Sequence, residues 1–314
     1  MRFIDLFCGI GGFHVALASL GHECVFACDI NEKAAAAYET NFEIVPRGDI
    51  TQIPVEDIPE HDIICGGFPC QPFSIAGSRA GFSDKTRGNL FLEILRIAKH
   101  HRPKVMVLEN VRNMTAMQDG DVFDSITCAL ADIGYVVVSM DVLNASRYAI
   151  PQARERVYIV CIREDLYDSG EVLYVKPRPL DRFVTLESVL EENPEFKPFK
   201  RTDLIVTIDE SKDTVEKNEP IRVATIGVGS QGERVYSVKG HAVTQSAHGG
   251  GVGGSTGLYR TAHGIRQLTI TECKRVMGFP DSHVVSDGRE GFSQLGNAVV
   301  PEMIRVVFRG FKWK

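Results

Sequence analysis

The sequence predicts an α/β protein: a mixed, seven-stranded sheet flanked by helices, with a smaller β-rich unit set into its C-terminal half. Three observations carry this prediction. An apolar strand pattern at 2 to 7 (RFIDLF) runs into Gly9, Gly11 and Gly12, then into the helical spacing of Phe13, Ala16, Leu17 and Leu20. Short apolar strands and helical runs then alternate, the order that builds an open sheet from βαβ units. Both periods fade after Asp165, where YVKPRP, ENPEFKPFK and DESKDTVEKNEP mix proline, asparagine and charge.

The first helix stops at Gly21, and a second strand (CVFAC, 24 to 28) ends at Asp29. Ala34 to Tyr38 is a strong helix former with no β-branched interruption. A strand follows at 62 to 65, then a Gly/Pro/Ser-rich loop at 66 to 88, a helix at 89 to 100 and a strand at 104 to 108. A helix near 122 to 132 precedes two extended runs, 134 to 143 and 156 to 162. From 221 to 261, β-branched residues and glycine dominate, including HGGGVGG at 248 to 254, which predicts short twisted strands and loops. Helical spacing resumes at 270 to 277 and 298 to 309. The chain therefore divides into a sheet domain at 1–164, a small domain at 165–265 and a segment, 266–314, that returns to the sheet domain.

Composition narrows the class. With 314 residues, 44% hydrophobic and 24% charged, the chain can bury a core of about two domains, which excludes disorder and a fibrous repeat. Eight cysteines are too few for a disulfide scaffold, and none are paired as CxxC, so no metal centre is expected. MRFIDLFCGIGG lacks the basic and apolar stretches of a secretory leader, and no segment is apolar for the length of a membrane span. A cytoplasmic enzyme with reduced thiols, away from membranes, is the expectation. The net charge of -6 conceals an asymmetry: residues 1–219 carry 23 basic and 35 acidic side chains, residues 220–314 carry 12 and 6. The C-terminal part can meet a polyanion, although scattered surface Lys and Arg are the plainer reading.

Two candidate sites lie at strand ends. Gly9, Gly11 and Gly12 allow close backbone approach before a helix N-terminus, and Asp29 ends the second strand, where a carboxylate accepts hydrogen bonds from ribose hydroxyls. The spacing is G-x-G-G rather than the dinucleotide pattern G-x-G-x-x-G, so ribose fits better than pyrophosphate. The plainer alternative is a turn whose glycines only relieve crowding, with Asp29 as a helix cap. The second candidate is CGGFPCQPFS (65 to 74), where Cys70 follows a proline in a polar loop; Glu109 and Asn110 follow the strand VMVL, and Arg154 and Arg156 alternate onto one face of QARER. For those arginines to reach the same rim as Cys70 and Glu109, their strand must run antiparallel, as an added edge strand does.

These blocks together resemble the bacterial cytosine-5 DNA methyltransferases, close to the GCGC-specific type of restriction-modification systems. The resemblance rests on DLFCGIGGF (5 to 13), GDI (48 to 50), GFPCQPFS (67 to 74), RGNLF (87 to 91), ENV (109 to 111), QARERVYIV (152 to 160), RQLTITECKRVMGFP (266 to 280) and QLGNAVVP (294 to 301), with QGERVYS (231 to 237) in the small domain. It implies a Rossmann-like methyltransferase fold that uses S-adenosylmethionine, releases S-adenosylhomocysteine and acts on a cytosine flipped out of double-stranded DNA. It assigns Cys70 as the nucleophile at C6, Glu109 as the holder of N3 and the exocyclic amine, and Arg154 and Arg156 as the group fixing O2. Phe7, Gly9, Ile10, Gly11, Gly12, Asp29, Ile30, Asp49, Ile50, Pro69, Asn297, Ala298 and Val299 would line the cofactor site. Ser74, Ser78, Arg79 and Arg87 would lie on a loop closing over the extruded base, with Gln231, Arg234, Tyr236 and Thr244 reading or holding DNA.

Departures are local. Asp29-Ile30 stands where members often have Glu and an aromatic, Thr244-Gln245 where close relatives have Thr-Leu, and His248 where they have an aromatic. A structured RNA substrate and a nucleotide-dependent oxidoreductase are the competing readings. The resemblance further implies a bacterial, monomeric enzyme paired with a cognate restriction endonuclease.

Overall fold

A computed structural model describes residues 1–69, 90–180, 182–196, 206–209, 211, 213 and 219–314. In chain order it contains β1 (Arg2–Leu6), α1 (Gly12–Ser19), β2 (Glu23–Cys28), α2 (Glu32–Phe42), β3 (Ile63–Gly67), α3 (Leu90–His101), β4 (Val105–Val111), α4 (Asp121–Asp132), β5 (Tyr135–Asn144), β6 (Glu155–Arg163), α5 (Glu164–Asp168) and β7 (Val172–Tyr174). There follow β8 (Val206–Ile208), β9 (Arg222–Ile226), β10 (Arg234–Ser237), β11 (Leu258–Thr261), β12 (Gly264–Arg266), α6 (Ile270–Met277), α7 (Gly288–Asn297), α8 (Pro301–Phe308) and β13 (Phe311–Trp313).

The main sheet has the order β2-β1-β3-β4-β6-β5. Strands β2, β1, β3 and β4 are parallel, while β6 runs antiparallel to both of its neighbours. Side-chain alternation sends β4 residues to two cores: Val105 and Val107 meet α1 and α8 residues such as Phe13, Leu17 and Ile304, whereas Met106 and Leu108 meet Ile94 of α3 and Ile126 of α4. Apolar residues cover both faces, which is why these strands read as continuous apolar runs.

Two expectations are corrected here. Among the described residues the sheet has six strands, not seven; the short strand Val172–Tyr174 pairs with Phe311–Trp313 in a separate two-stranded sheet. Strand β6 is antiparallel as the arginine argument requires, but it is internal rather than an edge strand, since β5 covers it. Helix α7 was not expected, and α8 begins at Pro301 rather than 298 because proline occupies the first helical turn.

A second sheet, β12-β11-β10-β9-β8, encloses a small core of Val223, Ile226, Val235 and Leu258. Its last strand is tied to α6 by a buried ion pair: Arg266 donates to both carboxylate oxygens of Glu272 at 2.7 Å, and the side chains are 1% and 0% exposed. Glu272 is also the third helical residue of a capping box with Thr269. Burial raises the Glu272 carboxyl, but Arg266 and the N–H groups of Thr269 and Glu191 outweigh it and hold it below its ordinary range. The ionised pair therefore contributes stability above the unfolded-state carboxylate pKa, and loses it as pH falls through the depressed folded value.

The C-terminal segment packs back on the first strand-helix turn. A Cβ on Gly12 would lie 2.6 Å from both Val299 Cγ2 and the Val299 carbonyl oxygen. Only glycine permits that approach. Arg305 of α8 donates to Ser19 Oγ at 2.7 Å, reinforcing the contact with α1.

Arg266→Met is expected to destabilise the protein by about 3–5 kcal/mol in urea unfolding, because it leaves Glu272 buried without its counter-ion. Arg266→Met combined with Glu272→Leu should recover most of that loss and flatten the acid dependence; a double variant no more stable than the single one contradicts this account.

Candidate active site

The C-terminal rim of the main sheet opens on a cavity of about 510 Å³, a size suited to a small organic ligand. The turn after β1 contributes Phe7, Gly9 and Ile10, the end of β2 contributes Asp29 and Ile30, and the segment after α2 contributes Gly48, Asp49 and Ile50. Strand ends supply Phe68, Pro69 and Glu109, and the far wall comes from α7 with Gly296, Asn297 and Ala298. Phe7 has a φ of 57°, a left-handed conformation costly for a residue with a Cβ. The strain falls where the chain must turn from strand into cavity wall.

Asp29 is fixed in this wall. Its carboxylate accepts from Gly9 N at 2.7 Å and Asn31 N at 2.8 Å. Burial raises its pKa, and these two donors oppose the rise. A carboxylate has about four lone-pair positions, so two bonds leave capacity for a pair of ribose hydroxyls. The helix-cap alternative for Asp29 is replaced by its neighbour: Asn31 caps α2, accepting from Lys33 N and Ala34 N. Ile30, 75% exposed, offers the cavity an apolar but non-aromatic surface. Carboxylate, apolar surface and volume together fit an adenosine-containing cofactor.

Across the cavity, register brings Glu109 and Arg156 together. Val111 of β4 lies opposite Arg156 of β6, so Glu109, two residues back on the same face, lies diagonal to it. Arg156 Nε sits 3.0 Å from Glu109 Oε1. Burial pushes the Glu109 carboxyl up, and the guanidinium charges of Arg156 and Arg154 only partly pull it back. Asn110 Nδ2 donates to the Phe68 carbonyl at 2.9 Å, holding the chain two residues before Cys70.

Not every expected residue meets this cavity. Gly11, Gly12 and Val299 stand behind its wall rather than on it. Arg154 does not share Arg156's position: it is 2% exposed and donates to the carbonyls of Gln245, Gly296 and Ala298. Thr244 lines a second cavity, also about 510 Å³, with Arg112, Asn113, Asn144, Glu155 and Arg156. Arg156 and Val111 belong to both cavities. Arg234 and Tyr236 lie half-buried on β10, and Gln231 begins the short turn before it. Cys70, Ser74, Ser78, Arg79 and Arg87 fall outside the described residues.

Sequence reasoning missed α7, which lends Glu290, Ser293 and Gln294 to the first cavity. It also missed Arg112, Asn113 and Asn144 in the second. The signal available for α7 was weak, since Phe292 and Leu295 are its only large apolar residues.

This fold and site define a methyltransferase of the C-5 cytosine-specific DNA methylase family, whose model matches residues 1–313, and the chain belongs to that family. It is 42% identical over 308 residues to the type II methyltransferase M.HhaI of Haemophilus parahaemolyticus, covering 98% of this chain and 93% of that protein. It is 38% identical over 320 residues to the type II methyltransferase M.HpaII of Haemophilus parainfluenzae, covering 96% and 87%. Among solved structures, Dnmt2 methyltransferase of S. pombe superposes with a TM-score of 0.68 at 20% identity, covering 98% of this chain and 97% of that one. The Entamoeba histolytica methyltransferase EhMeth gives 0.70 at 18%, covering 98% and 97%. The protein is thus a cytosine-5 DNA methyltransferase that uses S-adenosylmethionine. Among the described residues, no helix is long and apolar enough to cross a membrane.

Arg156→Met should raise the Glu109 pKa further, because it removes a charge that opposes the effect of burial. Carboxyl carbon NMR titration measures this, and an unchanged or lower value would show that the pair does not govern Glu109.

Proposed function

We propose that this enzyme methylates the inner cytosine of GCGC in duplex DNA, as a monomer in the bacterial cytoplasm, and protects host DNA from a cognate restriction endonuclease. The observation that carries the reading is the Glu109–Arg156 pair, set where the cofactor cavity meets the Thr244 cavity. There a flipped base meets groups for its N3, exocyclic amine and O2 edges. In this reading 1–164 is the catalytic and cofactor part, 165–265 reads DNA, and 266–314 closes the cofactor pocket.

S-adenosylmethionine supplies an electrophilic methyl group, and Asp29 with the Gly9 turn would hold its ribose. Cytosine C5 is a poor nucleophile on its own. Addition of the Cys70 thiolate to C6 moves electron density to C5. Glu109 holds N3 and the exocyclic amine as charge develops, and burial, which pushes its carboxyl up against the pull of Arg156 and Arg154, favours the protonated form that can donate to N3. Arg156 takes O2, while Arg154 braces the backbone around it. After C5 is alkylated, loss of the C5 proton and elimination of Cys70 restore the aromatic base. The residues 71–88, carrying Ser74, Ser78, Arg79 and Arg87, would close over the base. Arg234 would read a guanine through O6 and N7 and Gln231 would fill the space the flipped base leaves, with Tyr236 in support and Thr244 on a phosphate.

Incubation with labelled S-adenosylmethionine and duplexes containing GCGC or scrambled sites, followed by base-resolution mapping, tests this. The expected result is 5-methylcytosine confined to the inner cytosine and at least a thousandfold slower reaction for Cys70→Ser, on the order expected for loss of a covalent nucleophile. Methylation at another sequence rejects the target, and methylation of structured RNA in place of DNA rejects the substrate. Ile30→Trp should tighten S-adenosylhomocysteine about 2- to 10-fold by adding aromatic stacking, measured by calorimetry; weaker binding would place the adenine elsewhere.

A further inference from the structure

The glycine turn that walls the cavity at the sheet rim is held from behind by residues that do not line it. Gly9 and Gly11 have φ of 53° and 86°, and Ile10 between them lines the cavity although it is only 1% exposed. Glycine beside it leaves the Ile10–Gly11 peptide free to rotate unless its two polar ends are bound. Both are bound: Gly11 N donates to Cys8 O at 2.8 Å, and His283 Nε2 donates to Ile10 O at 2.8 Å. The first bond closes the turn on itself. The second comes from 273 residues further along the chain, in the segment that joins α6 to α7.

The tautomer of His283 follows from its neighbours. A carbonyl oxygen only accepts, so Nε2 must carry the hydrogen. Asn41 Nδ2, 3.4 Å from the same nitrogen, spends its hydrogens on Ala37 O at 2.7 Å and Val284 O at 2.9 Å, and so does not compete. His283 is 5% exposed, and burial lowers its pKa to about 4, aided by Lys274 and opposed by the bond to Ile10. At neutral pH it is therefore a neutral donor in an apolar setting, its ring centroid 4.5 Å from that of Phe279 and 5.9 Å from that of Phe42. The segment that carries it is itself fastened. Val284 N donates to Asn41 Oδ1 at 2.8 Å, His283 N to Pro280 O at 3.0 Å, and Lys274 Nζ to His283 O at 3.2 Å. Phe42 closes the back of the turn: a Cβ on Gly11 would lie 2.2 Å from its ring, and His14 stacks on that ring with centroids 3.8 Å apart.

We propose that His283 is a positioning residue for the cofactor: its Nε2–H fixes the Ile10–Gly11 peptide, and so keeps Gly9 N on Asp29 and the wall in the shape that S-adenosylmethionine requires. The inference rests on the reading above that this turn and Asp29 hold the cofactor. His283 acts only through the turn, since it does not line the cavity. Without the bond, the carbonyl of a buried residue loses this donor and the peptide can rotate. The binding-competent turn is then one arrangement among several, and the apparent affinity falls with its population.

Calorimetry on the full chain measures S-adenosylhomocysteine affinity, and steady-state assays on a duplex that the wild type methylates separate KM for S-adenosylmethionine from kcat. His283→Phe keeps an aromatic ring but no donor. The expected loss of S-adenosylhomocysteine affinity is about fivefold or more, the scale of one buried hydrogen bond. KM for S-adenosylmethionine should rise alike, with kcat at saturating cofactor within about twofold of the wild type. His283→Gln, whose Nε2 can donate from nearly the same position, should restore most of the affinity. Circular dichroism melts show whether each variant folds; if His283→Phe does not, Asn41→Leu decides, since it frees the 283–284 segment from α2 and should weaken the cofactor in the same way. Unchanged affinity in the folded variant overturns the proposal, as does a loss in kcat without a rise in KM, or a loss that a folded His283→Gln does not recover. Asp29→Ala separates the two readings. If it binds S-adenosylhomocysteine as the wild type does, the assignment of this cavity fails and the inference with it; weak binding by Asp29→Ala with full binding by His283→Phe sinks the inference alone.

Discussion

The antiparallel seating of β6 between β4 and β5 is the constraint on which the site depends. In an all-parallel sheet, the residues before a strand lie at the rim opposite the functional one. Reversal of β6 delivers its first residues to the rim where β1, β2, β3 and β4 end. Arg156 thereby lands diagonal to Glu109, and Arg154, one step outside the strand, enters the junction with 245, 296 and 298. One inverted strand thus supplies both the charge partner of the buried carboxylate and the brace behind it.

Burial at this rim is tolerated because each charge is answered by fixed dipoles or an opposite charge. Glu109 has Arg156, Asp29 has two backbone N–H groups, and Arg154 has three carbonyls. The compensation is incomplete for Glu109, whose carboxyl stays above its ordinary range. In the proposed mechanism that imbalance suits a group that shares a proton with a base. It is also unlike the Arg266–Glu272 pair, where two short bonds and a helix cap outweigh burial and produce a purely structural ion pair.

The C-terminal segment completes the cavity rather than extending the chain beyond it. Gly12 accepts Val299 at a distance that excludes any side chain, α8 lies on α1, and the residues just before Val299 form a wall of the cavity at the sheet rim. The turn near the start of the chain and the segment near its end are therefore one structural unit.

Much of this was legible in the sequence, because it depends on local pattern. The apolar runs, the glycine turn, Asp29 at a strand end and the ordered blocks around Cys70, Glu109 and QARER determined the α/β class and the chemistry. Helix α7 was not legible, since Phe292 and Leu295 alone make too faint a stripe, and its burial is created by what packs on it. Nor could spacing separate Arg154 from Arg156. Two residues apart, they look equivalent in sequence, yet one meets a carboxylate in an open cavity and the other meets three carbonyls brought from distant segments. Which neighbour a buried guanidinium finds is a non-local contact, and only the tertiary structure decides it.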